Sequence, residues 1–559
     1  MGSSGDDGTA GGTDGRDGTG STAGPHAGGW VGAWSERRAS LSPDRVGLRD
    51  ATTGEAYTYA ELDRRANRVA RLLREHGVDV TDAATMPNVG GAGRATPGGD
   101  DPGDVTVGGR VAVVSRNRPE LVDLFFATGK TGGVLAPLSH RLAPRELGEL
   151  LSNVAPSLLV VEEPFEAVVG DALDHDACDY DGPVLGLGET AHESFDAAVP
   201  DDGSPVAPAG VDEDHAHLFL HTGGSTGTPK ETVLTHGTIA WNSVNTITAW
   251  GLRPADVTPM VFPMFHTGGW NVLTVPMFHL GAEVVIAREF DEREVLSIVD
   301  ERDATLLVAV PAVLRMMTQA DGWDDADLST LRFVKSGGGP CRASVMQAWW
   351  DRGVDLSQGY GLTECGPNNF TMPTNWPHEK ADSVGVPAMH VDVRIVDDDG
   401  SPVAPGRVGE LELASPHAAA GYWHAPEETE ATFGHGWVST GDLARRDDAG
   451  YVYIEGRKKN MYVSGGENVY PAEIEDVISG HPKVDEVVVV PVPDDQWGQV
   501  GRAVVEGDES LSLEELTAFL DGKLARFKRP RHLAFVDEMP TSGPSKIDRE
   551  TIAREFGAA

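Results

Sequence analysis

The segment His221-Thr-Gly-Gly-Ser-Thr-Gly-Thr-Pro-Lys230 follows directly on a strand-like apolar run at residues 217–220. Its three glycines let the backbone turn N–H groups inward, while interleaved hydroxyls and Lys230 add donors and a cation, so the segment can cradle phosphate oxygens. The Walker A pattern fails, because Pro229 stands where its second glycine belongs. The same residues contain Gly223-Gly-Ser225-Thr-Gly227, a match to the G-x-S-x-G nucleophile elbow of hydrolases. An elbow needs a helix directly after its serine, and Gly227 and Pro229 interrupt there. A plain glycine-rich loop is the third reading. His215, His217 and His221 suggest a metal, the first two sharing one strand face, but no third ligand follows at suitable spacing. Cys365, beside Glu364, reads as a small packing residue rather than a nucleophile.

Six further segments follow in order: Ser336-Gly-Gly-Gly-Pro340, Gln358-Gly-Tyr-Gly-Leu-Thr-Glu364, Trp437-Val-Ser-Thr-Gly-Asp442, Gly456-Arg-Lys-Lys459, the run from Ser464 to Glu475, and the run from Pro540 to Arg549. With the loop at 221–230 they resemble the signatures of the adenylate-forming superfamily, in its acyl-CoA synthetase and fatty-acid–CoA ligase branch, over roughly residues 30–555. The resemblance implies an ATP-dependent ligase. A carboxylic acid and ATP give an acyl-adenylate and pyrophosphate, and coenzyme A then gives the thioester and AMP. By the same resemblance the nucleotide contacts are Thr222, Gly223, Gly224, Ser225, Thr226, Gly227 and Lys230 in the phosphate loop, and Gly338, Gly339 and Pro340 at the adenine turn. Tyr360, Gly361 and Thr363 add an aromatic adenine partner and its flanks, and Asp442 and Arg457 bind the ribose.

Joining two anions requires charge to be neutralised as it develops. The resemblance assigns that work to Lys546, between the carboxylate and the α-phosphate, and to Mg²⁺ held by Glu364 and the Thr222 hydroxyl. His266, in Phe262-Pro-Met-Phe-His-Thr-Gly-Gly-Trp270, matches the position that faces the acyl carboxylate, and Lys459 matches the hinge. The chain departs from the family at four positions. Gly223 replaces a hydroxyl residue, Asn460 an acid and Ser545 a glycine, while Glu231 replaces the glycine after Pro-Lys. An anionic Glu231 beside a phosphate loop requires a side chain that points into solvent.

The elements that must position these residues are legible as periodicity. Short apolar runs such as SLLVVE, LLVAV and RFVKSG alternate with helix-like stretches up to about residue 380, which predicts layered α/β subdomains. Period-two hairpins around Gly400 and Gly450 predict a β segment after them. The expected fold is therefore α/β, a large N-terminal domain over residues 30–456 and a small α+β C-terminal domain over 457–559, whose mobility is what the resemblance implies. Residues 1–29 hold eleven glycines and residues 85–109 eight, so the first is expected to be a disordered tail and the second a disordered insertion.

Composition narrows the setting. A net charge of -42 repels phosphate backbones, so nucleic acid is excluded as the main partner, and small-molecule substrates are expected instead. Ten lysines beside 35 arginines on such an acidic chain suggest a halophile's cytoplasm. Three scattered cysteines suit a reducing compartment, no secretory signal opens the chain, and Val272 to Ala287 is too short and too interrupted to span a membrane. A homodimer is compatible with all of this. Gly337 to Gly339 and the segment from Trp270 to Leu280 are expected to line the acyl pocket, which favours a medium- or long-chain fatty acid. An aryl or succinylbenzoate-type acid is the alternative, and a non-catalytic adenylate-binding chain is the rival of another class.

Overall fold

A computed structural model describes residues 31–88, 104–222, 230–464, 467–494, 496–521, 523–541 and 547–558. The expected tail at 1–29 lies outside them.

The largest sheet has eight strands, ordered Gly421–Tyr422, Lys230–Thr235, Ala216–Thr222, Val134–Leu138, Arg110–Val114, Leu158–Glu162, Val184–Leu187 and Glu193–Ser194. Its central strands are parallel and read as unbroken apolar runs because helices cover both faces; all five residues of Leu158–Glu162 are buried. Helix Pro119–Thr131 starts with proline at its first turn, ends at Gly132 in the left-handed conformation (φ 73°), and is almost wholly buried. Helix Tyr59–Glu75 opens with a capping box between Thr58 and Glu61 and packs against it.

Strands Leu306–Ala309, Phe333–Ser336 and Leu356–Gln358 form a separate parallel sheet, and the turns at the carboxyl ends of the last two carry Gly337–Gly339 and Tyr360. An antiparallel sheet follows, Asp392–Val396, Gly409–Ala414, Val438–Arg446 and Val452–Arg457, with the expected turns at Gly400 (φ 74°) and Gly450 (φ 90°). A turn at Lys458–Asn460 then leads into the C-terminal sheet, where Val484–Asp494 and Gly498–Gly507 pair along their length and close two small cores of their own. The chain thus has the large N-terminal α/β body and the smaller α+β C-terminal body that its periodicity predicts. Helix Leu513–Leu520 stops there because Asp521 takes an extended backbone, and both Asp521 and Gly522 are poor helix formers by type.

One boundary needs correction. The expected insertion at 85–109 takes in strand residues, since Ala84–Pro87 pairs antiparallel with Asp104–Val107. Val105 and Val107 are fully buried on one face of the large sheet, and Thr106 bridges to His215. Alternating valines were enough to anchor those ends amid the glycines. Residues 89–103 lie outside the described residues. Among the described residues, no helix is long and apolar enough to cross a membrane.

Candidate active site

Strands Ala216–Thr222 and Lys230–Thr235 form an antiparallel pair in which Thr222 stands opposite Lys230. They present the two ends of the phosphate-loop segment; Gly223, Gly224, Ser225, Thr226 and Gly227 lie outside the described residues, as does Lys546. Lys230 Nζ pairs with Glu428 at 3.0 Å and sits 5.8 Å from the Tyr422 ring centre. The Tyr422 hydroxyl donates to Glu364 Oε1 at 2.8 Å. Ala419 N donates to the Glu364 carbonyl, fixing the backbone of the Thr363–Cys365 turn as well. Gly361 is sterically required there, because a Cβ would lie 2.2 Å from the Pro367 backbone. Tyr422 and Glu428 were not anticipated, since only the folding back of Gly421–Tyr422 onto the large sheet brings them here.

Tyr360, just past strand Leu356–Gln358, Asp442, midway along Val438–Arg446, and Arg457, at the end of Val452–Arg457, come together. The Tyr360 hydroxyl donates to Asp442 Oδ2 at 2.5 Å, and Arg457 Nε pairs with Asp442 Oδ1 at 2.8 Å. Asp442 and Arg457 are register partners in adjacent strands, and Arg457 also donates to the Thr440 carbonyl at 3.0 Å. Burial, then the Asp442 carboxylate, hold the Tyr360 phenol well above its ordinary pKa, so it remains a donor. The adenine turn is tied to the same strands: Gly359 N donates to Ser336 O at 2.7 Å and Cys341 N to Gln358 Oε1 at 2.9 Å. A Cβ on Gly337 or Gly339 would meet nothing within 4 Å, and Gly338, Gly339 and Pro340 are exposed, so this turn borders open space.

His266 lies on a compact loop that leads into a π-helical turn, Gly268–Val272. The backbone acceptors loosened by that turn are met from elsewhere: Asn242 Nδ2 donates to Asn271 O at 2.7 Å and Asn368 Nδ2 to Val272 O at 3.0 Å. Of the segment from Trp270 to Leu280 expected to line the pocket, Trp270 to Phe278 is buried, while His279 and Leu280 are part-exposed. Trp270, Val275 and Met277 are 0 % exposed, and Trp270 stacks on Phe125 at 5.0 Å, so these side chains fill the core instead of lining a tunnel.

Glu231 also overturns its expectation. Its side chain is 0 % exposed and both carboxyl oxygens lack a hydrogen-bond partner among the described residues. It stands opposite His221 in the strand pair and against Trp423, whose N–H donates to the Glu231 carbonyl. Burial pushes its carboxyl up to about 8. A protonated side chain therefore resolves the conflict with the phosphate loop, where solvent exposure had been expected. His215 and His217 approach His236, with ring centres 4.8 Å apart for the latter pair, and His221 lies apart from them near His266. Among the described residues, no group of three or more histidine, cysteine or acidic side chains could hold a metal ion. Lys459 sits in the turn between the two bodies and pairs with Glu550 at 2.7 Å. Cys365 is buried and its thiol pushed up by that burial, in keeping with a packing role.

The sequence model of the AMP-binding enzyme family matches residues 103–423, and that of the AMP-binding enzyme C-terminal domain matches residues 473–546. The chain belongs to the AMP-binding enzyme family. It falls in that family's acyl-CoA synthetase branch and is an AMP-forming acid–thiol ligase by kinship. It is 36 % identical over 530 residues to a feruloyl-CoA synthase of Amycolatopsis sp, covering 94 % of this chain and 99 % of that one. The indoleacetate–CoA ligase of Aromatoleum aromaticum is 34 % identical, with 93 % and 96 % covered, and the long-chain-fatty-acid–CoA ligase FadD13 of Mycobacterium tuberculosis is 31 % identical, with 94 % and 99 % covered. Among solved structures, ATP-bound MatB from Rhodopseudomonas palustris superposes with a TM-score of 0.80 at 27 % identity, covering 94 % of this chain and 99 % of that one. ATP and CoA are the substrates of AMP-binding enzymes of this branch.

Proposed function

We propose that this chain activates an aromatic carboxylic acid with ATP and transfers the acyl group to coenzyme A in the cytoplasm. The observation that carries the adenylation half is the convergence of Tyr360, Asp442 and Arg457 beside the open Gly337–Gly339 turn. A base can stack on Tyr360, and the Asp442 carboxylate is an acceptor of the kind that ribose hydroxyls need. The phosphates lie along the 222–230 segment with Lys230, and Lys546 supplies the cation between carboxylate and α-phosphate. Glu364 and the Thr222 hydroxyl are hard oxygen donors suited to Mg²⁺, and Tyr422 engages only one Glu364 oxygen. When bound, the ion supplies a dication that offsets phosphate charge. Thioester formation then follows rotation of the body beginning near 457 about Lys459, which exchanges Lys546 for the thiol.

The filled core at Trp270–Phe278 favours a compact aryl acid over the fatty chain expected from sequence, because a long chain needs a tunnel through those side chains. Similarity to the feruloyl and indoleacetate ligases supports the same choice. Pyrophosphate release from ATP with ferulate, indole-3-acetate and palmitate, followed by mass detection of the CoA thioester, tests this. Release with an aryl acid is expected. Palmitate as the best substrate would return the fatty-acid reading, and no release with any acid would favour a non-catalytic adenylate-binding chain.

A further inference from the structure

We infer that Asn117 is a positioning residue that sets the His266 loop, and through it the acyl carboxylate; this rests on the reading of His266 as the residue facing that carboxylate. Asn117 follows strand Arg110–Val114 and is buried. Its amide spends both donors and its acceptor on main chain from distant segments. Nδ2 donates to Phe262 O at 3.0 Å and to Ala287 O at 3.2 Å, and Oδ1 accepts from Met264 N at 2.8 Å. The flipped amide would face two carbonyls with an oxygen and an N–H with a donor, so only one orientation fits. Asn117 thereby staples the Phe262–Met264 backbone to Ala287, the residue just after the Glu283–Ile286 strand.

The loop passes that restraint to His266. His266 N donates to Pro263 O at 3.1 Å, Gly269 N to His266 O at 3.0 Å, and Trp270 Nε1 to Met264 O at 2.5 Å. A Cβ on Gly269 would lie 2.6 Å from Pro263 O, and one on Gly268 would lie 2.8 Å from the Phe262 ring, so the loop is packed too closely to absorb a shift internally. Asn117 is itself held from behind. Buried Glu162 accepts from Ser115 Oγ at 3.1 Å and from Arg116 N at 2.8 Å, and Arg288 NH1 reaches the same carboxylate at 3.2 Å. A misplacement of about 1 Å at a positioning group is enough to cost on the order of 100-fold in rate.

The test measures the KM for acid and for ATP separately in wild type, Asn117→Ala, Asn117→Asp and His266→Ala, using whichever of ferulate, indole-3-acetate and palmitate wild type turns over fastest, with AMP binding by calorimetry as a check on the nucleotide side. Asn117→Ala is expected to raise the acid KM at least tenfold while the ATP KM and AMP affinity stay within twofold. Asn117→Asp keeps the side-chain volume and the Met264 bond but sets a carboxylate against two carbonyls, so the same split is expected. An acid KM within twofold of wild type, or acid and ATP KM rising together, would overturn the inference, and failure of both variants to fold would reduce Asn117 to a structural staple. His266→Ala separates the two readings. If it leaves the acid KM unchanged while Asn117→Ala raises it, the loop is positioned by Asn117 and only the role given to His266 falls. If His266→Ala raises the acid KM and Asn117→Ala does not, the reverse holds, and if neither does, both fall.

Discussion

Two buried carboxyl groups, Asp442 and Glu231, flank the proposed nucleotide site and are treated in opposite ways. Asp442, 5 % exposed, accepts from Tyr360 and pairs with Arg457; Glu231, 0 % exposed, has no partner for either oxygen among the described residues. Burial alone is thus a poor guide to charge. A desolvated carboxylate survives where donors are built around it, and otherwise the proton comes with it. In the proposed function, Asp442 would stay charged to accept from the ribose hydroxyls, and a protonated Glu231 would leave no anion beside the phosphates.

The largest expected effect tests the Glu231 half of that contrast. A carboxyl raised to about 8 when folded, against about 4.5 unfolded, holds its proton more tightly in the native state. Its contribution is present in full below pH 4.5, declines as pH rises, and is gone above pH 8, a span worth on the order of 5 kcal/mol. Glu231→Gln removes the titration while keeping the shape. Urea melts of both proteins from pH 5 to 9 should show wild type losing stability relative to the variant at each step, with the gap levelling off above pH 8. Parallel curves would mean that Glu231 is ionised and paired, and the contrast with Asp442 would collapse.

Asp442→Asn tests the other half with a smaller effect. The amide keeps the volume but loses the charge that Arg457 pairs and that the proposed function offers to the ribose, and hydrogen bonds to charged groups are worth about 1.5–3 kcal/mol. The ATP KM in pyrophosphate release should rise about 30-fold, the conversion of about 2 kcal/mol, with the acid KM little changed. A rise in both would point to a misfolded site instead of a lost acceptor.

These two carboxyls also mark where sequence reading stops. Asp442, Tyr360 and Arg457 sit in ordered signature segments, so their types, spacing and final proximity were all legible, as were the α/β layers and the Gly400 and Gly450 hairpins. Glu231 was visible as a departure, but which side of its strand faces the core depends on the register with His221 and on Trp423 arriving from residue 423. Asn117 carries no local signal at all, because its partners lie 145 and 170 residues away. The Trp270–Phe278 segment looked like a pocket wall because apolar residues line pockets and fill cores alike; only the stacking of Trp270 on Phe125 decides which. The stretch read as an insertion, residues 85–109, was misread at its ends because glycine content outweighed two alternating valines.

Tyr360→Phe is the mildest and most discriminating change. It leaves the ring available for stacking and removes only the hydroxyl that donates to Asp442, while Arg457 still holds the other carboxyl oxygen. Losing a neutral donor to a charged acceptor that Arg457 still pairs should cost about 1 kcal/mol, which is a roughly fivefold rise in ATP KM. Because burial keeps the phenol protonated, the ratio of variant to wild-type KM should be flat from pH 6 to 9. The informative measurement is the cycle with Asp442→Asn. If the hydroxyl acts only by holding that carboxylate, Tyr360→Phe should add almost nothing in the Asp442→Asn background, a coupling near the full single-mutant effect. Additive losses would instead mean that the Tyr360 hydroxyl contacts the nucleotide itself.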